Sequence, residues 1–381
     1  MTVVIVGGGI VGTATAYYLA SAGVDAVVCE RSTPGAGSTD RAVGGIRAQF
    51  GSPANVDLSL RAIPVWESFA EEFGVDIGYR RHGYMFLTGE TGVADSFADT
   101  VAMQNERGVP SELLDPSEAT AYLPELHADR YVAATYSPGD GSADPHLALQ
   151  GFGAAAREAG AEIRTDTAVE DVTTERGRVT GVETDDGHVG AEYVVNAAGP
   201  WAGRVAEMAG IDLPVSPRRR QIAVVEPEVP YPEDAPLTVD MDTGVHFAPD
   251  REGDVLLGGH FEGPDPEWDA DDYPAGYDLE WVTEAMERAT DCAGYFGPES
   301  RVKNGWSGLY AVTPDHSPVI EESRPGFVNA VGFSGHGFMH APATGQVVTD
   351  IVREGDTDIV DLSAFASERF AAASAGESHV I

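Results

Sequence analysis

The first thirty residues alternate between apolar blocks and glycine. Val3 to Val6 is an unbroken β-branched run, Ile10 to Ala22 is predominantly apolar over a helical length, and Val24 to Cys29 is apolar again. Gly7, Gly8 and Gly9 separate the first two blocks, Gly23 separates the last two, and no charge occurs before Asp25. A short β-branched run bounded by glycine reads as a buried parallel strand, so the pattern predicts strand, turn, helix and strand. Gly23 falls where a helix C-cap is expected. A membrane span needs about 20 apolar residues in one helical run, which the glycines interrupt. An export leader needs positive charge ahead of its apolar stretch, and only Met1 and Thr2 precede Val3, so neither is expected.

Further along, apolar residues recur at helical spacing from Val56 to Phe73, and "YRRHGYMFL" reads as a strand. Asp144 followed by Pro145 is an N-cap with proline at the first helical position, which predicts a helix over His146 to Ala159 and a strand over Ala161 to Thr165. Short strands with polar turns lead to the apolar strand Tyr193 to Asn196. From Ser216 to Asn304 the texture is that of antiparallel strands joined by tight turns. Phe327 to Val352 returns to strand, glycine turn and helix. The fold class is therefore mixed α/β, with a discontinuous Rossmann-like dinucleotide-binding domain (1–80, 143–215 and 305–381) and a mostly antiparallel-sheet substrate domain (81–142 and 216–304).

The glycines have chemical meaning in that setting. In Gly7-x-Gly9-x-x-Gly12, one glycine permits the tight turn and the next lets backbone amides approach a pyrophosphate. Gly12 allows close helix-to-strand packing, with the phosphates at the helix N-terminus beside Ile10 and Val11. Glu30 ends the second strand, where a carboxylate can accept hydrogen bonds from a ribose diol. The loop "STPGAGSTDRAVGGIRAQFG" lacks hydrophobic periodicity. Gly35 and Gly37 allow close approach to a ligand, while Ser38, Thr39 and Arg41 can bind phosphate oxygens. Ala197, Ala198 and Gly199 are again small residues at a strand end.

Charge narrows the partners. With 23 Lys+Arg against 62 Asp+Glu, the net charge of −39 repels nucleic acid and anionic membranes. Lysine is nearly absent, as in cytoplasmic proteins of salt-loving archaea, and a soluble, cytoplasmic protein is expected. Asp265, Asp269, Asp271 and Asp272 lack calcium-loop spacing and read as a solvated, salt-adapted surface loop. No metal site is expected. Cys29 and Cys292 read as ordinary buried thiols.

Four stretches, "GGGIVGTATAYYLASAGVDAVVCER", "NAAGPW", "GWSGLYAVTPDHSPVI" and "GFSGHGFMHAPATG", occur in an order that resembles the FAD-dependent amine and amino-acid oxidoreductases of the D-amino-acid oxidase superfamily. The resemblance covers the whole chain and is nearest to the branch of sarcosine oxidase, glycine oxidase, dimethylglycine dehydrogenase and dye-linked proline dehydrogenase. It implies noncovalent FAD, because Ser38 to Arg41 and Met339 stand where covalent relatives carry histidine or cysteine. By the same resemblance Gly7, Gly9, Ile10, Val11, Gly12, Glu30 and Arg31 hold the ADP half, and Ser38, Thr39 and Arg41 continue along the cofactor. Val169 meets the adenine, Ala198, Gly199 and Trp201 lie close to FAD, and the turn with Gly335, His336, Gly337, Phe338 and Met339 sits against the flavin.

The helix N-terminus after Gly335 would stabilise negative charge on reduced flavin. Arg47 matches the arginine that holds a substrate carboxylate, Tyr310 and His260 are further pocket residues, and His246 is a weaker one. The implied reaction moves hydride from the α-carbon of an amino acid or N-methylated or secondary amino acid to flavin N5, giving an imine that hydrolyses. Leu256 stands where related oxidases carry an oxygen-activating lysine, so the electrons would pass to oxygen or to a carrier. Two alternatives stay open, a flavoprotein acting on a hydroxy acid or glycerol 3-phosphate and a non-catalytic FAD-binding accessory subunit, while an NAD-dependent dehydrogenase is disfavoured because "GFSGHGFMHAP" near the C-terminus has no place in that fold.

Overall fold

The strand Thr2–Val6 lies inside a six-stranded sheet, flanked in parallel by Asp25–Cys29 and Tyr193–Asn196. The computed structural model describes residues 1–261, 263–371 and 376–377. The order across this sheet is Val319–Arg324, Phe327–Val331, Tyr193–Asn196, Thr2–Val6, Asp25–Cys29 and Glu162–Arg164, with only the first pair antiparallel. Because side chains alternate across a strand, both faces must be covered. Val3, Ile5 and Val28 pack under the helices Ile10–Ser21, Pro145–Glu158 and Gly337–Glu354. Val4, Val6, Val27 and Cys29 point the other way, onto a three-stranded antiparallel sheet built from residues 169–190.

The helix after Asp144 begins at Pro145, and the Asp144 carboxylate accepts hydrogen bonds from the amides of His146 (2.9 Å) and Leu147 (3.2 Å). The helix expected over Val56 to Phe73 is two helices, Pro53–Glu67 and Phe69–Phe73. The Ser68 hydroxyl donates to the Pro64 carbonyl at 2.8 Å, a back-bond that competes with helix continuation.

A second sheet has eight strands in the order Arg301–Val312, Ser216–Glu226, Val255–Gly259, Val245–Pro249, Leu237–Asp240, Tyr84–Thr88, Ala133–Ser137 and Glu112–Leu114. Its pairings are antiparallel except between Leu237–Asp240 and Tyr84–Thr88. Arg301–Val312 pairs along its length with Ser216–Glu226, which puts residues 305–312 in this sheet rather than with the first, where they were expected. The helix Leu279–Cys292 covers one face through Val282, Ala285 and Ala289. Cys29 and Cys292 are free and buried.

A two-residue ladder, Gly45–Ile46 against Gly141–Ser142, joins the loop after the second parallel strand to the turn that follows Ala133–Ser137. It brings Arg47 next to a turn of the eight-stranded sheet. No helix among the described residues is long and apolar enough to cross a membrane.

Candidate cofactor and substrate site

A cavity of about 490 Å³ lies between the two sheets. Its wall includes Gly7, Gly9, Ile10 and Val11 from the first turn, Glu30 and Arg31 from the end of the second strand, and Ser38, Thr39 and Arg41 from the loop. Val169, Ala198, Gly199, Trp201, Tyr310 and Gly335 to Met339 complete the expected set that lines it, together with Arg47.

Local geometry explains why this turn stays open to a ligand. Gly7 has φ of +108°, and a Cβ there would lie 2.6 Å from the Ala197 carbonyl oxygen. Gly12 does not line the cavity: it sits behind the turn, where a side chain would overlap the Gly7 carbonyl. Thr39 Oγ1 accepts from the Ile10 amide at 3.1 Å, which leaves its own proton for a ligand oxygen. The Ser38 hydroxyl is committed to the Leu309 carbonyl at 2.6 Å. Arg41 Nε is buried without a hydrogen-bond partner, with Asp40 Oδ2 at 3.6 Å as its counter-charge, and can still donate to a phosphate oxygen. Glu30 accepts from the amides of Gly8 (2.8 Å) and Ser32 (2.9 Å) and from the Ser32 hydroxyl (3.2 Å), and a carboxylate retains lone-pair capacity beyond those three. A helix N-terminus, a guanidinium donor not committed to a hydrogen bond and an acid with spare acceptor capacity fit a dinucleotide such as FAD.

Another part of the wall is built around Arg47, which is fully buried. Its guanidinium donates to the Gln49 carbonyl, lies 3.0 Å from His336 Nε2 and sits over the Phe50 ring, 4.1 Å from the centroid. Burial drives the His336 pKa well below its ordinary value, and the Arg47 charge adds to the effect, so the ring is neutral. Next along the same helix face, His340 is pushed down to about 3 by burial and meets Ser59 Oγ at 2.9 Å. Gly335 leaves room for the Tyr310 ring beside the turn, where any side chain would collide with it. Burial also raises the Tyr310 phenol, against the opposing charges of Arg220 and Arg47.

His260 departs from expectation. It lies one residue past its strand, is exposed, and pairs with Asp265 at 3.6 Å rather than lining the cavity. His246, ranked lower from sequence, does line it. The register pairs His246 with Gly258, whose missing side chain leaves room for the imidazole. Burial lowers the His246 pKa to about 4.

The acidic loop is also more than a solvated surface. Asp271 reaches Arg31 at 2.5 Å, Trp201 Nε1 at 2.8 Å and Arg204, and Asp269 pairs with Arg204 at 2.5 Å. Arg31 stacks over Trp201 at 4.1 Å. Partial burial raises the Asp271 pKa, but hydrogen bonds from Arg31, Trp201 and Arg204 outweigh it and hold the group at about 2. Asp265 engages Arg220, another cavity residue, at 2.9 and 3.1 Å.

Sequence reasoning missed Tyr84, Arg204, Arg220 and Asp271 in the wall, and Asp140 behind it. Tyr84 is hidden in the uniformly apolar run "YMFL". The others are charged residues whose partners lie far along the chain; only the Asp140-Gly141 turn pair was locally visible. Among the described residues no cluster of three or more His, Cys, Asp or Glu side chains could hold a metal.

A Rossmann-type turn opening onto a cavity closed by a second, antiparallel sheet is the build of a dinucleotide-dependent oxidoreductase. The family model described as FAD dependent oxidoreductase matches residues 2–351, and the chain belongs to that family. It is 30% identical to FAD-dependent oxidoreductase domain-containing protein 1 of Bos taurus, over 100% of this chain and 86% of that protein. It is 29% identical to mitochondrial dimethylglycine dehydrogenase of Rattus norvegicus over 94% of this chain, which spans only 44% of that longer protein. Among solved structures, L-proline dehydrogenase from P. horikoshii superposes with a TM-score of 0.89 and 31% identity, covering 98% of each chain.

Proposed function

We propose that this enzyme oxidises an amino acid carrying a primary or secondary amine, of sarcosine, glycine or proline type, to an imine that water then hydrolyses. The observation that carries the reading is a buried guanidinium, Arg47, in the cavity wall beside the glycine turn at 335–337. FAD, when bound, supplies the acceptor for the hydride of the α-C–H. Arg47 holds the substrate carboxylate and fixes which face of the α-carbon is presented. Neutral His336, bonded to Arg47, keeps that cation oriented without adding a second charge. Tyr84, Tyr310 and His246 line the pocket and exclude water, which favours the uncharged amine, so no dedicated general base is required.

The glycine turn, Thr39 and Arg41 would bind the pyrophosphate, Glu30 the ribose, and the amides opening the helix Gly337–Glu354 the electron-rich end of the flavin. FAD is held noncovalently in this reading: Ser38 to Arg41 and Met339 offer no histidine or cysteine for attachment. The chain has a single lysine, Lys303, which pairs with Asp254 at 2.7 Å and does not line the cavity. That favours a dehydrogenase passing electrons to a carrier over an oxidase using a lysine for oxygen.

An anaerobic titration of the purified holoprotein with sarcosine, proline, glycine, dimethylglycine and D-amino acids tests this. Bleaching of the oxidised flavin band by one of them is expected, with slow recovery in air and fast recovery with an artificial electron acceptor. A band that persists through every amine would defeat the reading and favour a non-catalytic subunit.

A further inference from the structure

Arg47 sits between two residues whose backbones are held from the same neighbouring turn. Ile46 is paired with Gly141 in the two-residue ladder. On the other side the Ala48 amide donates to Asp140 Oδ1 at 2.8 Å, so the Asp140 carboxylate extends that ladder past Arg47. The second carboxylate oxygen accepts from Gln49 Nε2 at 3.3 Å. The same Gln49 donates to the Tyr84 carbonyl at 2.8 Å and accepts from Thr135 Oγ1 at 3.0 Å, and its own carbonyl takes the hydrogen bond from Arg47. Asp140 also anchors the start of the strand Tyr84–Thr88, because its carbonyl accepts from the Gly83 amide at 2.8 Å. It is 1% exposed. A carboxylate this deep carries a desolvation penalty, yet only a carboxylate offers a separate acceptor oxygen to each loop donor: an amide in its place has one acceptor oxygen and turns an NH2 group toward Gln49 Nε2.

We infer that Asp140 is a positioning residue for substrate binding: through Ala48 and Gln49 it fixes the backbone on which Arg47 is aimed into the cavity. The inference rests on the carboxylate role proposed for Arg47. Asp140 has no place in the cavity wall and acts only through that loop. A simple charge effect has the opposite sign, since removing a negative neighbour of Arg47 would strengthen its hold on an anion.

The sign supplies the test. Purified FAD-loaded wild type, Arg47→Ala and Asp140→Asn are titrated with acetate, a carboxylate without an oxidisable amine, and followed by perturbation of the flavin band. Asp140→Asn should bind acetate roughly tenfold to a hundredfold more weakly and Arg47→Ala roughly thirtyfold or more, with KM for the amino acid raised to match and flavin content unchanged. Tighter or unchanged acetate binding in Asp140→Asn, while Arg47→Ala weakens it, overturns the inference and leaves the Arg47 reading intact. Unchanged binding in Arg47→Ala overturns that reading, and the inference falls with it. If Asp140→Asn does not fold, Gln49→Met, which removes the donor to Asp140 Oδ2, must show the same weakening. A Gln49→Met protein that binds acetate like wild type overturns the inference.

Discussion

The cavity is served by two groupings of carboxylate and guanidinium made from the same chemistry in opposite surroundings. Asp140 and Arg47 lie under the loop with almost no access to solvent, whereas Asp271 meets Arg31 and Arg204 where each side chain is nearly half exposed. Burial raises the Asp140 pKa to about 6 despite the Ala48 amide, Arg47 and Gln49, while hydrogen bonding holds Asp271 at about 2. What differs is water. In the interior the desolvation of a charge exceeds what its partners return, so such a group is weak evidence for stability and better evidence for a fixed geometry. At the surface the ion pairs are cheap to form and contribute little each, so they fasten segments without rigidly aiming them.

The largest effect that would sharpen this contrast is at Arg47. Replacing it by alanine should cost about 2–5 kcal/mol of substrate binding, a roughly thirtyfold or greater rise in KM, with FAD retained. Steady-state kinetics alongside the flavin spectrum measure it, and an unchanged KM would remove Arg47 from the site.

Next is the stability of the Asp140→Asn variant relative to wild type. A carboxyl whose folded pKa is raised from 3.8 to about 6 binds more protons folded than unfolded between those values. Wild-type stability therefore falls through this group as pH climbs from about 4 to about 6, by about 3 kcal/mol, and is flat above. The other titratable groups coupled to it, Tyr79, Tyr84 and Tyr136, have phenols raised by burial and stay neutral throughout. Melting temperatures of both proteins across that range should show the variant gaining on wild type until about pH 6. A constant difference would contradict the raised pKa.

Smaller still, Asp271→Asn should weaken FAD retention only severalfold, about 1 kcal/mol, without altering KM. Fluorescence of released FAD on dilution reads this directly, and a loss as large as that at Arg47 would erase the distinction between the two groupings. At its ordinary pKa near 4 Asp271 would already be protonated in mild acid. Held near 2, its contribution is full above about pH 4 and is lost progressively as pH falls from there to about 2. The least specific effect concerns the whole surface. With a net charge of −39, the melting temperature should fall as molar salt is withdrawn, because screening of like charges is lost. An unchanged melting temperature would argue against salt adaptation.

Local signals in the sequence carried the parallel-sheet half well. The strand Thr2–Val6, the helix after Gly9, the Asp144 cap and the turn before Gly337 each depend on residues within a few positions of one another. Even the cavity-lining glycines follow from that local logic. Long-range register was not legible. Whether His246 or His260 reaches the cavity depends on which residue faces Gly258 across an antiparallel pair, and on the strand ending at Gly259. Asp271 reads as one acid among many, since nothing near it in sequence announces Arg31, 240 positions away. Asp140 was overlooked for a similar reason: its partners Ala48 and Gln49 lie about ninety residues earlier.

The short ladder between Gly45–Ile46 and Gly141–Ser142 has a mechanical side as well. It is a seam only two residues long, tying the loop that bears Arg47 to a turn of the eight-stranded sheet. The guanidinium therefore takes its place from a turn of the other sheet as much as from its own loop.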